Sequence, residues 1–317
     1  MKIVILSRSR HLYSTSRLAL VCRARGHDVR IVDPLRCAML VDGDRSALLH
    51  RGEPLGTVDA VLPRLGRSWS FAGLAVLRQF ESLGIPCLNP SSGIAIARDK
   101  LSTLQCLARH GVPAVATAFA RDARDVRGGI EVLGGPPVVV KLSDGSQGMG
   151  VMLAESAAGA ESIVGAFHVF NQHILVQPFL RSDGDLRLIV AGGRVVAAMR
   201  RRAAAGEFRN NLHRGGIAVV HHAGAEEQRI AIEAVRAVGL RAAGVDLMES
   251  PRGPLVLEVN ASPGLRGIES ASGRNVAAAL VRSLEARYSA ASSTSSGRSR
   301  RRVSSGGNAS TIPDALR

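Results

Sequence analysis

Aromatic residues make up only 3% of this 317-residue chain: one Trp, two Tyr and seven Phe. A core must therefore be built from Val, Leu, Ile and Ala. Cysteine is scarce too. Cys22, Cys37, Cys87 and Cys106 show no C-x-x-C and no mixed Cys/His metal spacing. A zinc centre finds no support there, and reduced thiols in a cytoplasmic protein are expected. No run approaches the roughly 20 apolar residues of a membrane span. The opening M-K-I-V-I-L-S-R holds a short apolar run, which reads as a first strand rather than a signal peptide. Two phosphate-binding signatures are missing as well. There is no G-x-x-x-x-G-K-[ST], and the first βα turn, S-R-S-R-H, lacks G-x-G-x-x-G, which excludes a dinucleotide-binding Rossmann site at that turn.

Acidic residues are in the minority: 26 Asp and Glu against 41 Lys and Arg, a net charge of +15. From about Ser289 the chain becomes Ser/Gly/Arg-rich without a hydrophobic period, so a disordered tail over 289–317 is expected. The tail carries Arg298, Arg300, Arg301, Arg302 and Arg317 against Asp314, so most of the excess lies on the folded part. Such a surface attracts nucleotides, RNA or acidic peptide. The tail has no interleaved aromatics for base stacking.

Residues 1–95 alternate strand and helix, with Gly26 and Gly84 closing two helices in the manner of αL caps. The order implies a small α/β domain with a parallel sheet. Downstream come a helix from about Ser92 to Gly111, a strand at Val112–Phe119 and the strand P-V-V-V-K-L. A glycine-rich loop, S-D-G-S-Q-G-M-G, follows. Further strands include a hairpin across Gly192-Gly193, then a helix near Glu226–Val238 and a last helix, Asn275–Ala286.

Chemistry concentrates in three places. The stretch G-V-D-L-M-E-S-P-R-G-P-L-V-L-E-V-N holds Asp246, Glu258 and Asn260. Residues two apart on a strand share a face, so Glu258 and Asn260 project together. A turn around Pro251-Gly253 would bring Asp246 beside them. Two carboxylates and an amide oxygen suit Mg²⁺ or Mn²⁺ rather than zinc. Second, Lys141 ends an apolar strand immediately before the glycine-rich loop with Gly145, Gly148 and Gly150, an arrangement that aims backbone N–H groups at phosphate. Third, Asp185 and Arg187 share a strand face, and a basic run, Arg200-Arg201-Arg202, is followed by Arg209, Asn210, Asn211 and His213. Such a cluster can neutralise a triphosphate and a substrate carboxylate.

Together these segments resemble the ATP-grasp superfamily, and within it the RimK family of ribosomal protein glutamate ligases. The resemblance runs from Met1 to about Arg287. It is carried by A-R-D-K-L, V-V-V-K-L-S-D-G-S-Q-G-M-G-V, H-I-L-V-Q, F-R-N-N-L-H-R-G-G, A-G-V-D and L-E-V-N-A-S-P-G-L. It implies an ATP-grasp fold of α/β class with α+β elements. A pre-ATP-grasp domain at 1–95 would precede an ATP-grasp domain at 96–288, whose two α+β subdomains clamp ATP. By the same resemblance, Lys100, Lys141 and Gly148 contact phosphate, Gln177 and Pro178 hold adenine, and Asp185 lies on the ribose side. Arg209, Asn210 and Asn211 touch the nucleotide phosphates. Arg201 and Arg209 are the candidate catalytic cations, and Asp246, Glu258 and Asn260 bind the metal, two ions being expected. The activity implied is ATP-dependent ligation of L-glutamate to the C-terminus of the sixth small-subunit ribosomal protein through an acyl phosphate, by a homo-oligomer whose basic surface contacts ribosome or RNA.

Three positions depart from the family pattern. Pro178 stands where Glu is usual, Arg200 where Glu is expected and Asn210 where Ser is expected. Proline has no N–H, so one adenine hydrogen bond is lost or moves to Phe179. Two other readings stand beside this one. One is a sister ligase acting on a cofactor or carrier protein. The other is a regulator that binds nucleotide or RNA without turnover.

Overall fold

Pairing in the N-terminal unit follows from a buried first strand, β1 (Lys2–Leu6), whose last four residues are all buried. A strand covered on both faces must be apolar throughout, as parallel strands are. The computed structural model describes the chain except residues 43–45, 67–69, 121, 144–149, 169–172, 205–206, 211–214 and 295–317. It divides into two compact units, Met1–Ser91 with Val281–Arg317, and Ser92–Leu280.

In the first unit β1 is followed by α1 (Tyr13–Ala24) and β2 (Asp28–Val32). Then come β3 (Cys37–Leu40), β4 (Ala47–His50), β5 (Glu53–Pro54), β6 (Ala60–Pro63) and α2 (Ser70–Ser82). The strands β2-β1-β6 form a parallel sheet, with Ile3 opposite both Val29 and Ala60. Gly26 and Gly84 stop α1 and α2 at φ 79° and 73°, the left-handed geometry expected of them. A second, antiparallel sheet, β3-β4-β5, is an addition to the sequence reading. Its strands are short and β3 is mostly exposed, so neither alternation nor an apolar run announces it.

The second unit contains α3 (Ser91–Arg98), which starts one residue before the division, and α4 (Lys100–Arg109). Then follow β7 (Ala118–Ala120), α5 (Ala123–Val132), β8 (Val138–Leu142), β9 (Val151–Ala154), α6 (Ala157–His168) and β10 (Ile174–Pro178). The single helix expected over Ser92–Gly111 is thus two. Asp99 separates them, and its carboxylate accepts the Ser102 N–H at 3.0 Å and starts a new helix, as an N-cap does. Four strands pair in the order β7-β10-β8-β9. Val138, Val140, Ile174 and Val176 pack with Val126, Ile130, Ala160 and Val164 of α5 and α6. Alternation then puts Val139, Lys141, Leu175 and Gln177 on the face opposite those helices.

The rest of the chain supplies β11 (Asp185–Ala191), β12 (Arg194–Arg202), β13 (Ile217–Val220), α7 (Ala225–Ala237), β14 (Ala242–Met248), β15 (Leu255–Asn260), α8 (Arg266–Ser272) and α9 (Val276–Thr294). Its sheet runs β13-β12-β11-β14-β15. Gly192 and Gly193, at φ 59° and 77°, make the β11–β12 turn, which needs two positive φ angles. Helix α7 covers one face with Ile230, Ala231, Ala234 and Val235. Helix α9 runs on to Thr294, so residues 289–294 are helical rather than part of a tail beginning at Ser289; the alanines among them extend the helix. Residues 295–317 lie outside the described residues. Among the described residues no helix is long and apolar enough to cross a membrane.

Candidate active site

The hairpin β14–β15 places Asp246 directly opposite Glu258 and Gly244 opposite Asn260. Its turn closes through Ser250 and Gly253, each donating its N–H to the other's carbonyl at 3.2 and 3.0 Å, with Gly253 at φ 92°. Asn260 Oδ1 accepts the Ser262 N–H at 2.9 Å. That Asx turn directs A-S-P-G back over the hairpin, where a Cβ on Gly244 would meet Pro263 at 3.0 Å. The Glu258 carboxylate makes no hydrogen bond or ion pair among the described residues.

Asp246 is engaged by arginines. Strand β11 lies between β12 and β14, so Arg187 faces Asp246 and Asp185 faces Arg201. Arg187 Nε and Nη2 donate to the two Asp246 oxygens at 2.7 and 2.6 Å. Arg201 Nε and Nη2 donate to Asp185 at 2.7 and 2.7 Å, and Nη2 also reaches Asp246 Oδ2 at 2.8 Å. Arg201, Asp246 and Asp185 are only 4%, 6% and 8% exposed. Burial alone would raise the Asp246 pKa, but Arg187 and Arg201 hold it well below the usual carboxylate range. Asp185 has only one guanidinium; burial, and then the charge of Asp246, push its pKa up despite Arg201. Burial works against the charge of Arg201 too, yet Asp246 and Asp185 keep it firmly cationic.

Across from this sheet, Lys141 sits on the β8 face turned away from α5 and α6. Burial lowers its pKa, while Glu258, Asp185 and Asp246 pull it back up. The lysine and the carboxylates of the hairpin are therefore within electrostatic reach of one another. Lys100 Nζ donates to the carbonyls of Leu142 and Ser143 at 3.5 and 3.0 Å, tying α4 to the strand end where the glycine-rich loop begins. Gly148 lies outside the described residues, as do Asn211 and His213.

The remaining candidates are arranged less simply. Buried Gln177 donates through Nε2 to Thr117 Oγ1 at 2.8 Å. The Phe179 N–H, to which an adenine contact might shift because of Pro178, donates instead to Pro137 O at 3.0 Å. Arg209 is held by Glu207 at 2.7 and 2.9 Å and lies over the Phe208 ring at 5.4 Å. That pairing, more than burial opposes it, lowers the Glu207 pKa to about 2. Asn210 follows at the end of this segment. Arg200, the departure from the family pattern, pairs with Glu249 at 2.7 and 2.9 Å. Sequence reasoning put Arg187 on the face of Asp185 without giving it a role. Its partnership with Asp246 required knowing that β14 lies beside β11.

The donor set fits a hard divalent cation. Among the described residues no three His, Cys, Asp or Glu side chains gather, so a zinc-type cluster is not offered. Glu258 presents an unengaged carboxylate opposite Asp246, with Asn260 on the Glu258 face. In Asp246 both lone pairs of Oδ2 are taken by arginines, leaving one acceptor position on Oδ1.

Comparison with known proteins agrees with this arrangement. Residues 97–284 match the RimK-like ATP-grasp domain and residues 1–94 the RimK PreATP-grasp domain. A protein named "Probable alpha-L-glutamate ligase" from Vibrio cholerae serotype O1 is 48% identical over 287 residues, covering 90% of this chain and 95% of its own. One of the same name from Cellvibrio japonicus is 47% identical over 300 residues, covering 94% and 100%. Among solved structures, the ATP-grasp ligase PsnB complexed with minimal precursor, Mg and ADP superposes with a TM-score of 0.72 at 20% identity, covering 90% of this chain and 98% of that one. This last likeness is one of fold.

Proposed function

The chain belongs to the RimK family of ATP-grasp ligases, and from that premise we propose that it joins L-glutamate to the C-terminal carboxylate of the sixth protein of the small ribosomal subunit. The observation that carries the reading is the facing of Lys141 and the Asp246/Glu258/Asn260 hairpin. It supports a site that holds a nucleotide phosphate and a divalent cation together.

In this reading ATP phosphorylates the acceptor carboxylate to an acyl phosphate. The glutamate amine attacks it, the new amide forms and phosphate leaves. No nucleophilic side chain is required, so the protein's work is positioning and charge stabilisation. Lys141 and Lys100 bind phosphate beside the glycine-rich loop with Gly148. Arg209, Asn210 and Asn211 add contacts to the nucleotide phosphates. Gln177 and Pro178 border adenine. Asp185 gives each oxygen one bond to Arg201 and so keeps lone pairs for a ribose hydroxyl. Arg201, fixed between two carboxylates, points a buried cation at the charge that develops on transfer, and Arg209 is its counterpart on the adjoining segment. Asp246, Glu258 and Asn260 would hold Mg²⁺ or Mn²⁺, two ions in all, which supply charge neutralisation at the transferring phosphoryl group.

Further parts of the proposal concern the surroundings. The chain divides functionally into 1–95, 96–288 and a basic tail. It acts as a homo-oligomer in the cytoplasm, and its positive surface meets ribosome or RNA. A sister ligase with another carboxylate acceptor differs in what would have to select that acceptor. Arg200 is the natural suspect, but its guanidinium is already paired with Glu249, which favours the first reading. Release of ADP that requires both L-glutamate and the ribosomal protein's C-terminal peptide tests the proposal. Release equal with and without the peptide, or with another amino acid in place of glutamate, would overturn it.

A further inference from the structure

The turn S-R-S-R-H has no part in the chemistry above. It follows β1 in the N-terminal unit. At the carboxyl ends of β1 and β2, where α/β sheets place ligands, it borders a cavity of about 520 Å³. Arg8, Arg10, His11, His50 and Arg51 line this cavity together with one acid, Asp33. Like charges gather this way only against a compensating ligand or open water.

Four independent features say the cavity is built for an anion. First, His50 Nε2 is buried without a hydrogen-bond partner, a state that carries a cost unless something arrives to pair with it. Second, the Arg51 guanidinium makes no hydrogen bond or ion pair among the described residues. Third, Arg51 sits at φ 57°, the one non-glycine residue at positive φ among the described residues. Glycine would take that conformation freely; holding arginine there is the kind of local strain that accompanies binding positions. Fourth, α1 starts beside the turn with Leu12 as its N-cap, no side-chain cap and no acid in its first turn. The positive end of its dipole is left uncompensated by side chains.

The cations are spread over separate segments, Arg8 and Arg10 on the β1–α1 turn and Arg51 between β4 and β5. That spread suits several carboxylates along a chain better than one compact anion. We propose that the cavity binds the side-chain carboxylates of an acidic peptide, the glutamate-bearing end of the acceptor as it lengthens. The identity of that peptide rests on the function proposed above; the binding of an acidic peptide does not.

The test uses the full chain and a fluorescently labelled tetraglutamate peptide, followed by anisotropy. Arg51→Gly removes the guanidinium and relieves the positive φ, so its melting temperature should match or exceed that of the wild type. Arg10→Ala is exposed and serves as the second variant. Each should weaken peptide binding about tenfold, the loss of one charge-assisted contact, and an uncharged peptide of equal length should bind neither wild type nor variants. Unchanged affinity in the double variant overturns the proposal. So does inorganic phosphate that binds the wild type more tightly than the peptide and weakens in the same variants, because the cavity is then a phosphate site. In turnover, the variants should raise KM for a polyglutamate acceptor and leave kcat and the KM for ATP unchanged. A wild type that ligates nothing yet binds tetraglutamate through Arg10 and Arg51 would sink the ligase reading and uphold the cavity.

Discussion

Replacing Asp185 by Asn cuts the buried network where Arg201 is held most closely. The substitution keeps shape and one acceptor but removes a charge that receives bonds of 2.7 and 2.7 Å from a guanidinium only 4% exposed. Removing one partner of a buried ion pair costs about 3–5 kcal/mol. Two features put this case at the lower end. Asp246 still counters Arg201 at 2.8 Å, and the repulsion between Asp246 and Asp185 disappears with the charge. A cost of about 3 kcal/mol, at about 2–4 °C per kcal/mol for a domain of this size, lowers the melting temperature of the ATP-grasp unit by about 6–12 °C. Calorimetry without nucleotide measures it. Glutamate-dependent turnover should fall as well, since Arg201 loses its second anchor. A melting temperature within about 2 °C of wild type would show that Asp185 does not hold Arg201, and the account of the network would fail.

Glu258→Gln removes a carboxylate with no partner in the protein, so melting should be unchanged while ligation falls at least about a hundredfold; a parallel loss of stability would assign it a structural role instead. Lys141 has a depressed pKa in the folded protein, so its ammonium is lost at lower pH than an ordinary lysine's. Affinity for a non-hydrolysable ATP analogue, measured by titration calorimetry, should accordingly decline with rising pH before pH reaches about 10.4, and Lys141→Arg should remove that decline. In Gly93→Ala the new Cβ would lie 2.9 Å from both Leu240 Cδ2 and the Val238 carbonyl oxygen. The backbone atom cannot yield easily, so a thermal melt should show a loss of about 1–3 kcal/mol. Truncation after Thr294 should leave ligation of a short acceptor peptide unchanged; loss of peptide ligation in a steady-state assay would make the tail structural.

The metal hairpin was legible because its signals are local. Two apolar strands, a turn at Pro251-Gly253 and a two-residue spacing between Glu258 and Asn260 are enough to place three oxygen donors together. Lys141 was legible for the same reason, as the end of an apolar run before glycines. The arginine network was not, because β11 lies between β12 and β14 and the Arg187–Asp246 pair is set by that pairing alone. Helix α5 escaped because Gly128 and Gly129 weaken the helical pattern of Ala123–Val132. The break at Asp99 and the sheet β3-β4-β5 show the same thing from the other side: a single capping carboxylate or a short exposed strand carries too little pattern to be seen before its neighbours are known. The Phe179 N–H illustrates a limit of reading donors from sequence. Its availability depended on Pro137, forty-two residues earlier in the chain.

The claim at the centre of the account is that this chain forms a bond between glutamate and a protein carboxylate. Mass spectrometry of the intact ribosomal acceptor tests it most directly, after incubation with the protein, ATP, Mg²⁺ and L-glutamate. The account predicts mass increases in whole glutamate residues at the acceptor's C-terminus, absent without ATP and absent with Glu258→Gln. An unmodified acceptor, or the same increases with Glu258→Gln, would contradict it.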